Sequence, residues 1–361
     1  MPNTPTNINQ VISDYQTGGA DKYLLRKSAD GAYTMFKDEA ALIASGNGIL
    51  TPNALRDARE GAYSPNGAAY PILENAGVTV NSTGITTCDT TAINGATLRI
   101  PVVYTDTSFA IKSYFSYGNY NYVARQEDIM RQLNEACKII RTSYDTNCIN
   151  LLEANKNQQQ AANLFGYFTD SGANEFKIDP AKKETMYNNI HGQFTRMDYA
   201  GVQKKALGNP EHATSVRELY AQGGANDFNS QFQFRSDMLP EFNSEEGFSS
   251  DVVFYETNGL VNGAGVEQTF FVIPTGTVAI IHANDVEKYD QGMLPNGTEL
   301  STQILPGLDG VVWGVRKTYG CDDNGLDFEQ WQFENRTAYI PPYLNNIATD
   351  VAPINKYIVA P

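Results

Sequence analysis

The sequence predicts an α+β protein, and three features carry that prediction. A single helical run, Gln126–Asn157, passes through the middle of the chain with no Pro or Gly in it. Strand-like segments cluster before it and again far after it. They are not interleaved with helices in the regular strand–helix–strand order of a parallel sheet, and no internal repeat is present.

Taken in order, residues 1 to about 60 are polar and broken. Short helices are expected over Lys37–Ser45 and Pro52–Glu60. In the second, Thr51 is the N-cap and Pro52 the first helical residue. Neither has enough apolar stripe to stand alone, so this stretch reads as an extension that lies on another surface. From Ala69 to Lys112 the pattern turns strand-like, in Gly77–Val80, Gly84–Thr87, Leu98–Tyr104 and Phe109–Ile111. Asn94-Gly95 is the turn signal of a hairpin. Pro101 cannot donate to a ladder and marks an edge strand or a bulge. The Tyr-rich link Ser113–Tyr122 contains no Lys or Arg, so it suits an interface or sheet end better than base stacking.

The long helix carries Ile129, Leu133, Ala136, Ile140, Tyr144, Cys148 and Leu151 at three- and four-residue intervals, one face of a 3.6-period helix. Its polar face is expected to hold Arg131, Gln132, Glu135, Lys138, Arg141 and Asp145. At roughly 1.5 Å per residue it spans about 46 Å, long for a compact domain. Such a helix crosses a sheet or runs along a neighbouring subunit. A second helix is capped by Asp179 and Pro180, has Met186, Ile190, Phe194 and Met197 as its stripe, and ends by Gly201. A third follows the capping box Ser215-x-x-Glu218 and stops at Gly223-Gly224. Strands are then expected at Asp251–Tyr255, Glu267–Ile273, Thr277–Ile281, Val311–Tyr319, Trp331–Phe333, Thr337–Ile340 and Lys356–Val359. Ile273-Pro274-Thr275-Gly276 is a turn.

Hydrophobic residues make up 41% of the 361-residue chain, enough for a core. Only 19% are charged, and the net charge is −15, with no Lys/Arg cluster of the kind that grips phosphates. Tight nucleic-acid binding is therefore not expected, while loose enclosure of nucleic acid stays open. The amino terminus lacks the basic start and apolar core of a signal peptide, and no apolar run is long enough to span a bilayer, so a soluble cytosolic product is expected. Cys88, Cys137, Cys148 and Cys321 have no metal spacing, and Cys137 and Cys148 read as small buried hydrophobes. His191, His212 and His282 are scattered.

The sequence offers no convincing chemistry. It has no Gly-rich phosphate loop and no nucleophile elbow. Asn262–Gly265 reads as a plain turn. Asp322–Asp327 resembles a calcium loop, but its Gly falls one place early and no closing Glu follows, so a loop between strands is expected. Glu245-Glu246 reads as solvated surface and His282 as a structural histidine. Catalytic, cofactor and metal residues are all expected to be absent.

The order of polar extension, hairpin, long helix, helices and strands resembles the major capsid proteins of tailed phages, which have the HK97-type fold. The resemblance implies a 1–68 N-terminal arm and a 69–122 E-loop region and link. It implies a peripheral domain from 123–179 plus 311–361, with the spine helix at 126–157, and an axial domain over 180–310. It further implies hexamers and pentamers of the chain in an icosahedral virion shell assembled in the host cytoplasm. That shell encloses double-stranded DNA without reading its sequence and involves no membrane. Decoration, scaffolding and portal proteins are the further partners implied, and Asn94-Gly95 would be the E-loop turn. An encapsulin-like compartment shell resembles the same fold. An α+β enzyme would have to use the Asp322 or His282 region. A surface adhesin is disfavoured by the missing signal peptide.

Overall fold

The computed structural model describes residues 8, 11–12, 30–46, 51–61, 68–73, 97–115, 122–156, 166–197, 199, 201–223, 252–284, 292–293, 298–308, 310–342 and 353–360. Its helices are α1 (Gly31–Ala44), α2 (Pro52–Gly61), α3 (Tyr122–Ala154), α4 (Met186–Arg196) and α5 (Pro210–Gly223). Its strands are β1 (Ala68–Leu73), β2 (Thr97–Val102), β3 (Tyr104–Tyr114), β4 (Thr169–Asp170), β5 (Phe176–Ile178), β6 (Lys204–Gly208), β7 (Val252–Glu256), β8 (Gln268–Pro274), β9 (Ala279–Ala283), β10 (Gly292–Met293), β11 (Glu299–Ile304), β12 (Val312–Cys321), β13 (Asp327–Ile340) and β14 (Asn355–Val359). The class is α+β, as the absence of alternation requires.

The strands form two six-stranded sheets and one two-stranded ribbon. The first sheet runs β10-β11-β12-β13-β3, with β9 taking up β13 beyond the end of β12. β3 pairs with β13 along its whole length, from Phe328↔Tyr114 to Ala338↔Tyr104. The second sheet runs β4-β5-β14-β8-β6-β7. Residues 311–361 therefore supply β12 and β13 to one sheet and β14 to the other. The Trp331–Phe333 and Thr337–Ile340 runs, expected as separate strands, are one continuous strand. The weakly patterned β6 and β11 carried no usable sequence signal. All of β6, with two lysines, is nevertheless buried.

β8 joins the two cores. Every residue in it is buried, because both of its faces are covered. Phe271 and Ile273 enter a core built with α3 and the inner face of the first sheet, including Trp313, Val315, Trp331 and Phe333. Phe270 and Val272 enter a second core with Met186, Ile190 and Phe194 of α4 and Val216 of α5. The turn at Thr275-Gly276, with Gly276 at φ 76°, carries the chain from β8 in one sheet to β9 in the other.

Two helix starts differ from expectation. α1 begins at Gly31 rather than Lys37, because its packing surface is supplied by tertiary contacts. α5 begins at Pro210, not after Ser215. Asn209 is its cap and accepts the His212 N–H at 3.0 Å, with Pro210 as the first residue. The second expected helix opens with a 3-10 turn, Pro180–Thr185, and α4 stops at Arg196, before Gly201. Asp179 does cap that turn, accepting the Ala181 N–H at 2.9 Å. Thr51 likewise caps α2 through Ala54 N–H.

Candidate assembly surfaces

α3 is the spine of the first core. Ile129, Leu133, Ile140, Tyr144 and Cys148 are buried against the chain's own sheet and α1, while Ala136 and Leu151 are half-buried at the edge of the stripe. Met130, Cys137, Ile149 and Leu152 join the same face. Burial raises the Cys137 thiol pKa to about 12, so it behaves as a small hydrophobe. Two residues expected on the polar face, Arg141 and Asp145, belong to the packed side. They lie at four-residue steps from Cys137, on one row of the helix with Ile149. Their polarity hid that position.

These two residues hold α1. The Asp145 carboxylate accepts Ala32 N–H at 2.9 Å and Tyr33 N–H at 3.1 Å, and Thr257 donates its hydroxyl to it at 2.5 Å. It thus caps the first turn of another helix, where an anion is favoured. Burial pushes its pKa up, and these hydrogen bonds pull it back down. Arg141 pairs with Asp30, the residue before α1, at 2.5 Å. About two turns further on, buried Glu39 pairs with buried Lys205 of β6 at 2.9 Å and accepts the Gly276 and Thr277 N–H groups. Gly31 permits this close docking, since a Cβ there would stand 2.2 Å from the Glu256 carbonyl oxygen.

The amino-terminal stretch was expected to lie on another surface as an extension. Residues 30–46 instead lie in the core of their own chain, and Ile8, Val11 and Ile12 are buried in that core too. The physical reason is twofold: Tyr33, Met35 and Phe36, which precede the expected helix start, enter the core, and three buried carboxylate contacts fix the docking.

The far end of the spine is tied by charge as well. Lys356 of β14 meets Glu153 at 2.5 Å and Glu175 at 2.8 Å, and Lys156 meets Glu175 at 3.1 Å. Burial alone would raise the Glu175 pKa, but the two lysines hold it below the usual carboxylate range. At the other end, Arg125 pairs with fully buried Glu329 of β13 at 2.5 Å and donates to Ser113.

Three features are candidates for contact with a neighbouring subunit. The first is the ribbon, in which β1 pairs with β2 from Ala68↔Val102 to Leu73↔Thr97 and, among the described residues, with no other strand. Its root is fixed where Tyr104 donates to the Ala58 carbonyl of α2 at 3.0 Å. Pro101 sits on this two-stranded edge, as its missing N–H requires. Asn94 and Gly95 lie outside the described residues, as do Gly77–Val80, Gly84–Thr87, Cys88 and Glu245-Glu246. The second is the solvent side of the spine, where Ile139 is 63% exposed. The third is the tip of the β12–β13 hairpin, with exposed Tyr319, Cys321, Asp323, Leu326 and Asp327.

The sites considered for chemistry are structural. Asp322 accepts Asn324 and Leu326 N–H groups, closing the hairpin turn. Val266 N–H donates to Gly263 C=O in the Asn262–Gly265 turn. His282 Nδ1 lies 3.2 Å from both Asn335 Oδ1 and Thr337 Oγ1, and burial lowers its pKa to about 4. His212 stacks on Phe270 at 3.9 Å and meets the Tyr187 hydroxyl at 2.5 Å. Burial lowers its pKa to about 4 as well. Among the described residues no His/Cys/Asp/Glu group could hold a metal ion, and no helix is long and apolar enough to cross a membrane.

No protein-family model matches the chain, and no curated protein matches it. Solved structures similar to it include the capsid of Ralstonia phage GP4, at 8% identity and a TM-score of 0.45, covering 81% of this chain and 83% of that one. A structure of Mycobacterium phage Cain is similar at 10% identity and a TM-score of 0.43, covering 99% of each chain. The holo-SrpI encapsulin complex from Synechococcus elongatus is similar at 12% identity and a TM-score of 0.35, covering 74% of this chain and 78% of that one.

Proposed function

We propose that the chain is a structural shell subunit, the major capsid protein of a tailed phage with the HK97-type fold, which assembles into an icosahedral shell enclosing double-stranded DNA. The observation that carries this reading is the β1–β2 ribbon. Six paired residues on each strand make a ribbon about 20 Å long. A two-stranded ribbon is marginal in water, and it gains stability when laid over a neighbour. The spine and the element order support the same reading. The sheet containing β12 and β13, with α3, would form the peripheral part, and the sheet packed on α4 and α5 the axial part. Asn94-Gly95 would turn at the free end of the ribbon. Weak contacts made by ribbons and other surface features add up through a closed shell. A chain of net charge −15 does not adhere to the DNA it encloses. Scaffolding, portal and decoration proteins are further partners on this reading.

The stripe residues of α3 serve folding, since they face their own core. Ile139, on the opposite side, is the spine's candidate contact to a neighbour. The test is electron microscopy and size exclusion of the purified full chain. Shells, hexamers or pentamers are expected, with genome-length DNA in particles from infected cells. A stable monomer at high concentration would overturn the reading. Particles filled with a cargo protein in place of DNA would make the chain an encapsulin-like shell.

A further inference from the structure

A groove of about 640 Å³ opens between α1, α2, β9 and the start of β12. Its apolar surface includes Ala40, Leu55, Ile281 and Val312, and its charged lining residues are Lys37, Arg56 and Arg59, with no carboxylate. In a chain of net charge −15 this is a local reversal of sign. The positive field reaches the buried ring of His282. Its pKa falls to about 4, first through burial and then through the charges of Lys37 and Arg59. Arg56 is held only loosely, 3.8 Å from Asp57 and 3.9 Å from Glu60, with its side chain 65% exposed.

The complementary surface is the tip of the β12–β13 hairpin. It presents Asp322, Asp323 and Asp327 beside two exposed apolar side chains, Tyr319 (45%) and Leu326 (42%). Carboxylates with apolar neighbours match an apolar groove rimmed by cations. Groove and tip lie at opposite ends of one strand, because Val312 lines the groove and Cys321 begins the tip. The ten residues of β12 separate them by about 33 Å. A chain therefore cannot fill its own groove. A contact between two different patches is head-to-tail, the kind that closes rings or propagates.

We propose that the Asp322–Leu326 tip of one copy seats in the Lys37/Arg56/Arg59 groove of the next. This rests on the shell reading and names one of its contacts. The contact is partly ionic and exposed, so assembly weakens as salt rises.

Cys321 supplies a direct test, because the only other described cysteines, Cys137 and Cys148, are buried. In a Cys88→Ser background, a thiol is placed on the groove wall by Ala40→Cys, Ala44→Cys or Leu55→Cys. Mild oxidation of assembled particles should link chains into dimers and higher ladders on non-reducing gels for at least one of the three, since a disulfide needs Cα atoms within about 7 Å. Adding Cys321→Ser should abolish the ladder. In parallel, Arg56→Glu and Asp323→Lys should each raise severalfold the concentration needed for assembly, and the double variant should restore it. Particles that give no ladder with any of the three thiols and no rescue overturn the tip-and-groove contact while leaving the shell reading standing. The same result with inorganic phosphate bound in the groove makes it an anion site and overturns the contact too. A chain that never leaves the monomer overturns both.

Discussion

The α1 segment and the β1–β2 ribbon lie in stretches that the sequence assigns to the arm and to the E-loop region, yet the structure treats them in opposite ways. α1 is held by its own body through Asp145 at its first turn, Arg141 on Asp30 and Glu39 on Lys205. Among the described residues the ribbon's strands pair only with each other; α2 packs against β1, and Tyr104 ties the root to α2. α1 also buries Tyr33, Met35, Phe36 and Ile43. The difference is that α1 carries buried ionic anchors with partners waiting on α3 and β6. Buried charges are costly unless paired, so such anchors specify one docking position and penalise every other. Among the described residues the ribbon has no comparable buried ion pair.

The comparison breaks most visibly at Glu39. Glu39→Ala leaves Lys205 buried without its partner and two N–H groups without an acceptor, which costs about 3–5 kcal/mol. Chemical denaturation should show that loss, and Glu39→Leu with Lys205→Leu should recover most of it. Asp145→Ala removes three hydrogen bonds to a buried carboxylate and should cost about 2–3 kcal/mol, with hydrogen exchange rising first at Ala32 and Tyr33.

Acid provides a second route. His282, which faces the Tyr33 ring of α1, and His212 in the other core are held neutral, with pKa values near 4 against an ordinary 6.5. A base whose folded pKa is depressed leaves stability intact above the unfolded value. Stability then falls as pH drops from about 6.5 to about 4, by on the order of 3 kcal/mol per histidine. Asp145 acts in the opposite sense. Its folded pKa is raised, so its charged form costs stability at neutral pH and protonation relieves that cost. Acid therefore loosens the fold through the histidines and not through the anchor of α1. His282→Asn should flatten the denaturation slope between pH 6.5 and 4 if this is correct. An unchanged slope would show that the folded ring titrates like the unfolded one.

The smallest effect on the monomer is expected from the ribbon. Replacing residues 69–101 by a short Gly-Asn turn keeps the root contact of Tyr104 but removes β1 from α2, and should cost the monomer about 1 kcal/mol. Assembly should fail. A large loss of stability would mean that the ribbon is part of the folded body, and the contrast with α1 would disappear.

Much of the fold was legible because periodicity reports burial directly. Ile129, Leu133, Ile140, Tyr144 and Cys148 mark a single face, and the unbroken apolar run of β8 marks a strand covered on both sides. Thr51-Pro52 and Asp179-Pro180 fixed two helix starts through cap chemistry. The misreadings have a common cause. Arg141, Asp145, Glu39 and Lys205 are charged residues placed inside, and no local pattern distinguishes a buried ion pair from a solvated one when the partners are far apart in the chain. Lys205 and Glu39 stand on separate elements and meet only in the folded chain. Asn209-Pro210 was a readable cap, but the capping box at Ser215 competed with it. The outward-facing candidates, Ile139 and the hairpin tip, were not legible, because exposure has no period of its own.

Cryo-electron microscopy of particles assembled from the full chain tests the account most directly. The account predicts density for α1 within its own subunit, packed on Asp145 and Lys205, while the ribbon crosses onto an adjacent subunit. Particles in which α1 lies on a neighbour and the ribbon folds back on its own body, or a preparation that stays monomeric at every concentration, would contradict it.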